Sequence, residues 1–321
     1  MSRQKVVFLD AATYGDISLS RFSDRWDCTI HQVTSASETS RRLDGQLVAV
    51  TNKVVIDRGV LSSAKQLQLI AVAATGTDII DRPAAKDYGV RVCNVPDYAT
   101  HSVAQFTLAL ILELATRAAR YNAAVRSDAW QRSPVFTLLD FPTIELRGKK
   151  LGIVGYGNIG RTVEKMARGF GMEILIAARP GSSGTVAPGH LPLDELLRRA
   201  DVISLHCPLT PQTKSLINAE TLSLVKSTAL LINTARGGLI DELALIQALR
   251  EQRLAAAALD VISEEPPRPG HPIIEATKEL DNLVVTPHTA WSTREARERL
   301  LGEVADNITA FFEGRPRNIV I

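Results

Sequence analysis

The segment KKLGIVGYGNIGR constrains this 321-residue chain more than any other stretch. It sets Gly155, Gly157 and Gly160 in a G-x-G-x-x-G spacing, after an apolar strand-like run and at the opening of an amphipathic stretch. In that setting each glycine has its own reason. Gly155 permits a tight turn, Gly157 lets the backbone approach a pyrophosphate, and Gly160 lets the following helix pack closely on the strand. The N–H groups of Asn158 and Ile159 then face the phosphates from a helix N-terminus, which favours an anion. The expectation is a dinucleotide-binding α/β domain.

The remaining pattern extends this reading. Short β-branched runs alternate with amphipathic stretches, the mark of parallel sheets with helical crossovers. In the first hundred residues, strands are predicted at 6–9, 47–50, 69–73 and 90–94, with helices at 58–65 and 82–88. A second series has strands at 150–154, 173–177, 202–206, 229–233, 256–260 and 283–286. Its helices are 159–170, 193–199, 219–225 and 242–251, and six such strands match a complete dinucleotide-binding sheet. Residues 102–120 read as one helix, apolar almost all round and so buried between the domains. Residues 293–314 carry Leu300, Leu301, Val304, Ile308 and Phe311 on one side and are expected to return to the first domain. The fold class is therefore α/β, with two doubly wound parallel-sheet domains. A Rossmann cofactor domain, 101–289, interrupts a discontinuous domain made of 1–100 and 290–321.

Composition removes several function classes. Lys and Arg number 37 against 35 Asp and Glu, so no field draws nucleic acid or an anionic membrane. No apolar run reaches the ~18 residues of a membrane span. The start, MSRQKVVFLD, lacks the apolar region of a signal peptide. Cys28, Cys93 and Cys207 stand far apart, with neither metal nor disulfide spacing, which points to a reducing cytoplasm and no metal.

The end of the second strand of the cofactor domain selects the dinucleotide. An acidic residue about 20 positions after the glycine motif binds the ribose 2′-hydroxyl in NAD enzymes. Here the strand reads MEILIAARPGSSG, with Ala178 at that position and Arg179 next. No carboxylate repels a 2′-phosphate, Arg179 can contact one, and Ser182 and Ser183 can donate hydrogen bonds to it. NADP is the expected cofactor, with NAD also accepted.

Beyond LGIVGYGNIGR, the blocks ADVISLHCPLTPQT, LLINTARGGLIDELAL, ALDVISEEPP and TPHTAW follow in order. With them the chain resembles the D-isomer-specific 2-hydroxyacid dehydrogenase family over nearly its whole length. TNKVVID, AVAATGTDIID and CNVPDYATHSVAQFTLAL are most similar to its glycerate dehydrogenase and hydroxypyruvate reductase branch. The resemblance implies a flavodoxin-like substrate domain completed by the C-terminal helix. It also implies a homodimer formed through the cofactor domains, with residues 130–146 as a dimer arm. The substrate is then a small 2-keto acid, with hydroxypyruvate reduced to D-glycerate or glyoxylate to glycolate.

The same resemblance assigns roles. His288, at a strand end in TPHTAW, is the general acid, since imidazole can give a proton near neutral pH. Glu265, before Pro266, pairs with it and favours the protonated ring. The neighbouring Glu264 is the alternative to Glu265. Arg236, presented by the Gly237–Gly238 turn, holds the substrate carboxylate and carbonyl oxygen. Thr75 and Gly76 offer N–H groups to that carboxylate, and Asp260 is expected at the nicotinamide carboxamide. Pro208, Thr213 and Thr234 are expected to line the cofactor; Asn52, Lys53 and Trp291 are candidates for the substrate pocket. Thr289 and Ile262 depart from the branch's usual Ile and aromatic residue without touching the triad. A formate-type enzyme would have Gln in place of Glu265. A short-form phosphoglycerate dehydrogenase, another 2-keto acid reductase and a non-catalytic dinucleotide sensor are the other readings.

Overall fold

The computed structural model describes residues 3–179 and 186–321. Two compact units emerge. One comprises the residues through Ala99 together with Ser292–Ile321, and the other is Thr100–Trp291.

In the first unit the strands are β1 (Lys5–Phe8), β2 (Asp27–Ile30), β3 (Val48–Thr51), β4 (Leu69–Val72) and β5 (Arg91–Cys93). They form a parallel sheet in the order β2-β1-β3-β4-β5, the order of flavodoxin-like folds. β3 and β4 are buried along their whole length, which is why they read as continuous apolar runs. β2 escapes the sequence pattern because it is a mostly exposed edge strand, DCTI. The helix Arg294–Phe312 buries Leu300, Leu301, Val304 and Ile308 in this unit. Polar ties reinforce it: Arg297 Nη1 donates to the Tyr14 carbonyl at 2.7 Å, and Asn307 Nδ2 to the Asn94 carbonyl at 2.9 Å. Phe311 is only half-buried, edge-on to Phe312. The last residues add a contact the sequence pattern does not announce: Ile319 bridges Cys93 in antiparallel fashion at the edge of β5.

The second unit contains β6 (Lys150–Val154), β7 (Glu173–Ile176), β8 (Val202–Leu205), β9 (Leu230–Asn233), β10 (Ala256–Leu259) and β11 (Leu283–Val285). All are parallel, in the order β11-β10-β9-β8-β6-β7. The six strands match the expected number, but the common order 3-2-1-4-5-6 puts two strands on the β7 side of β6. Among the described residues the place beyond β7 holds a single parallel bridge, Ala177 to Leu191, with Leu191 N–H on the Ile176 carbonyl at 2.8 Å. Pro188 and Pro192 flank Leu191, and proline has no N–H with which to prolong a ladder.

The helix expected over 102–120 is not continuous. Thr100–Thr116 and Ala118–Arg126 are separate helices meeting at 57°, with Arg117 between them in the left-handed region at φ 54°. The physical reason is competition for a carbonyl. Ile144 N–H takes the Ala115 carbonyl at 2.9 Å, so the first helix ends there. That helix shares a core with the helix Asn158–Gly169 through Ala104, Leu108, Ile111, Val163 and Ala167. Among the described residues no single helix is long and apolar enough to cross a membrane; these two pass that test only as a bent pair.

Candidate active site

The glycine turn joins β6 to the helix Asn158–Gly169. Gly155 has φ +101°, and a Cβ there would lie 2.4 Å from the Cys207 backbone nitrogen. A Cβ on Gly160 would lie 2.4 Å from the Gly155 carbonyl oxygen, so strand and helix meet only because both residues are glycine. Gly157 is different: nothing lies within 4 Å of its would-be Cβ. The first bond inside the helix runs from Arg161 N–H to the Gly157 carbonyl, at 3.0 Å. The N–H groups before it, those of Asn158 and Ile159 included, head the helix beside that open face. This is the fit a pyrophosphate requires: space over the middle glycine and a helix N-terminus behind it.

Arg179 is exposed at the end of β7, and Ala178 beside it leaves that end without a carboxylate. Ser182 and Ser183 lie outside the described residues. Pro208 and Thr213 belong to one turn. The Thr213 hydroxyl donates to the Pro208 carbonyl at 2.7 Å and accepts the Thr210 N–H at 2.8 Å, with Thr213 only 4% exposed. Thr213 is thus a buried turn-former whose hydroxyl is already engaged. Thr234 shares a 3.0 Å hydroxyl contact with Thr107. His206, ahead of this turn, faces Ser204 Oγ at 2.8 Å, and burial of its ring pushes the imidazole down to about 4. Burial also pushes the thiols up, Cys28 and Cys207 to about 11 and Cys93 to about 12.

Glu265, after β10, and His288, after β11, meet through their side chains. His288 Nδ1 lies 2.5 Å from Glu265 Oε2. The other Glu265 oxygen accepts Ile262 N–H at 3.0 Å, so the loop folds back to aim its own carboxylate. Glu264 instead lies 3.6 Å from Arg268. His288 itself sits at φ +53°, a region unusual for a side chain of this size. Its N–H is held by the Asp260 and Thr286 carbonyls at 2.8 and 3.0 Å.

Asp260, the residue expected at the nicotinamide carboxamide, anchors the loop that follows β11. It is 1% exposed. One oxygen accepts the Thr286 hydroxyl at 2.6 Å and Thr289 N–H at 2.9 Å; the other accepts Ala290 N–H at 2.8 Å. Both oxygens are therefore engaged by the loop that carries His288. Arg236 follows β9, where buried Asn233 shapes its turn. Asn233 Nδ2 donates to the Arg236 carbonyl at 2.9 Å, and Oδ1 accepts Ala235 N–H at 3.0 Å. Gly237 is obligatory there, because a Cβ would fall 1.9 Å from the Ile262 carbonyl carbon.

Thr75 and Gly76 belong to the first unit, after β4. The Thr75 hydroxyl donates to the Val95 carbonyl at 2.8 Å, and Asn94 Nδ2 holds the Thr75 carbonyl at 2.7 Å. Asn52 and Lys53 follow β3. Sequence reasoning passes over what holds them: Asp10 accepts Asn52 N–H at 2.9 Å and Lys53 N–H at 2.6 Å. Burial raises the Asp10 carboxyl above its ordinary range, and these N–H groups oppose the shift. The available signal was a lone acid closing the apolar run VVFLD. Among the described residues no group of three or more His, Cys, Asp or Glu could hold a metal ion.

Comparison with known proteins points to one family. A family model described as D-isomer specific 2-hydroxyacid dehydrogenase, NAD binding domain, matches residues 108–290. The chain is 40% identical to a glycerate dehydrogenase of Methylorubrum extorquens over 318 residues, 99% of either chain. It is 35% identical to a hydroxypyruvate reductase of Blautia hydrogenotrophica, covering 98% of this chain and 99% of that one. Among solved structures, the TT0316 protein from Thermus thermophilus superposes with a TM-score of 0.86 at 36% identity, over 99% of this chain and 100% of that one.

Proposed function

This chain belongs to the D-isomer-specific 2-hydroxyacid dehydrogenases, and we propose that within that family it reduces hydroxypyruvate or glyoxylate, with NADPH preferred and NADH accepted. The class itself is a 2-hydroxyacid oxidoreductase acting on CH–OH groups with a nicotinamide dinucleotide. The observation that carries the catalytic reading is the 2.5 Å contact between His288 Nδ1 and Glu265.

When bound, the nicotinamide supplies a hydride to C2 of the keto acid. As that bond forms, the C2 oxygen gains an electron pair and takes a proton from His288 Nε2, giving the alcohol. Glu265, held at Nδ1, fixes the ring's orientation and stabilises its protonated form before the transfer. Arg236 binds the substrate carboxylate and the C2 oxygen, stabilising charge as it develops. Thr75 and Gly76 are assigned to the substrate carboxylate. Gly155, Gly157, Asn158, Ile159 and Gly160 would hold the pyrophosphate. Pro208, Thr213 and Thr234 would border the dinucleotide, with Thr213 acting through its turn. Ala178 and Arg179 support the NADPH preference: the position expected to carry a carboxylate holds alanine, and an exposed arginine follows it.

The assembly proposed is a homodimer. Residues 130–146 expose Trp130, Val135, Phe136 and Leu139, at 53, 60, 90 and 82%, an apolar surface suited to a second copy. The cytoplasm is the proposed compartment, supported by three free cysteines. A panel of hydroxypyruvate, glyoxylate, pyruvate and longer 2-keto acids, each with NADH and NADPH, tests the function. Fastest turnover of hydroxypyruvate or glyoxylate with NADPH is the expected result. Preference for a longer keto acid would overturn the substrate, and no turnover of any would leave the dinucleotide-sensor reading.

A further inference from the structure

We infer that Glu242 is a positioning residue, which fixes the aim of Glu265 at His288 by clamping the peptide between Ile262 and Ser263. This rests on the reading of Glu265 and His288 as the acid pair. Glu242 opens the helix Glu242–Arg250, a few residues after the Arg236 turn. Its Oε1 accepts Ser263 N–H at 2.7 Å, and its Oε2 accepts the Ser263 hydroxyl at 2.8 Å. Glu265 accepts the preceding N–H, that of Ile262, at 3.0 Å. Two carboxylates from different elements thus hold consecutive N–H groups of one loop. The Arg236 turn closes the other side, since a Cβ on Gly237 would meet Ser263 N at 2.4 Å.

His271 packs behind the clamp. It is 3% exposed, with Nε2 3.6 Å from Glu242 Oε2 and 3.5 Å from Ser263 Oγ. The Glu242 side chain is itself only 11% exposed. The helix dipole alone would favour a carboxylate at this first-turn position but would leave it facing water. A carboxylate withdrawn this far from water needs its oxygens occupied, and the Ser263 backbone and hydroxyl supply the partners. If Ser263 N–H loses Glu242, the 262–265 loop is free to shift as a whole, and the bond from Ile262 N–H to the Glu265 oxygen opposite His288 weakens with it. A catalytic group misplaced by ~1 Å costs on the order of 10²-fold in rate.

The test uses the full chain with Glu242→Ala, Glu242→Gln and Ser263→Ala, and whichever 2-keto acid is turned over fastest. For Glu242→Ala, kcat should fall ~10²-fold, while the Kd of NADPH, read by nicotinamide fluorescence, stays within about twofold of wild type. The alkaline limb of the kcat/KM profile for reduction should move to lower pH, because the protonated imidazole has lost support. Glu242→Gln keeps an acceptor for Ser263 N–H and should restore most of the activity. Should Glu242→Ala fail to fold, Ser263→Ala removes only the hydroxyl contact and should show a smaller kcat loss with a smaller profile shift in the same direction. An unaltered pH profile in the folded variants, or an equal loss of cofactor binding, overturns the inference. Full turnover by His288→Ala would instead sink the acid-pair reading itself. A dead His288→Ala beside an unimpaired Glu242→Ala would refute the positioning role alone.

Discussion

Asp260→Asn separates two accounts of a strand-end carboxylate. In the structure Asp260 accepts from Thr286 Oγ1, Thr289 N and Ala290 N at 2.6, 2.9 and 2.8 Å. An asparagine keeps one acceptor oxygen. If that oxygen serves Thr286 and Thr289, the new NH2 group faces Ala290 N–H, donor against donor. Ala290 is 3% exposed, so its N–H finds no water in exchange. One charge-assisted bond is lost, and a buried donor is left unpaired; together they cost about 2–4 kcal/mol. The same loop holds His288 in a left-handed conformation, which L-residues adopt at a cost of ~1–2 kcal/mol. Released from Asp260, the loop relaxes and His288 leaves its aim. Turnover should then drop on the order of 10²-fold, the low end of what a general acid contributes. Chemical denaturation, kcat for hydroxypyruvate and the NADPH Kd together read the outcome. Lower stability and lower kcat with near-normal Kd are expected. A cofactor Kd weakened tenfold, with stability and kcat intact, would show that the carboxylate serves the carboxamide and not the loop.

The other predictions follow from single groups. Arg179→Asp should move the kcat/KM preference from NADPH towards NADH, because a carboxylate there accepts a ribose hydroxyl and repels a 2′-phosphate; unchanged selectivity removes that assignment. His288→Ala should lower kcat by 10²-fold or more while leaving NADPH binding close to wild type, and a parallel loss of binding would contradict its role as acid. His206 titrates at about 4 in the folded state against 6.5 unfolded. The unfolded chain therefore takes up a proton first as the pH falls. Stability should drop between pH ~6.5 and ~4 by on the order of 2–3 kcal/mol from this group. Denaturant midpoints of His206→Asn should fall less over that window than those of the wild type, and an equal fall would exclude His206 as the cause.

Legibility in the sequence followed burial. VAVT and LIAV are covered on both faces and announce β3 and β4 through unbroken apolarity. DCTI, exposed at the sheet edge, gives no such signal. Helix length in the 102–120 stretch is set by something outside it. Composition there favours helix throughout, and what ends it at Thr116 is Ile144, 29 residues after Ala115 in the chain. Beyond β7 the described residues pair only through Leu191, and Pro188 and Pro192 on either side of it limit that ladder locally.

The site divides along the same line. The side chains proposed to carry the chemistry, His288, Glu265 and Arg236, are marked by the order of their motifs. The residues that hold them are marked only by a break in polarity. VVFLD ends on Asp10, LLIN on Asn233 and AALD on Asp260, and all three are buried. Beyond the last ladder bond of a strand, backbone N–H groups of the following loops lose their partners, and buried ones must find other acceptors. A short carboxylate or amide at the strand end can supply several at once. Asp10 does so for Asn52 and Lys53, Asn233 for Ala235, and Asp260 for Thr289 and Ala290. Some of these partners lie 30 or more positions away, so no local window could name them. Glu242 extends the device to a helix start, reaching Ser263 across 21 positions. A polar residue closing an apolar strand in a doubly wound sheet is therefore a specific forecast in this chain: it is the acceptor that sets the loop, and the loop sets the acid.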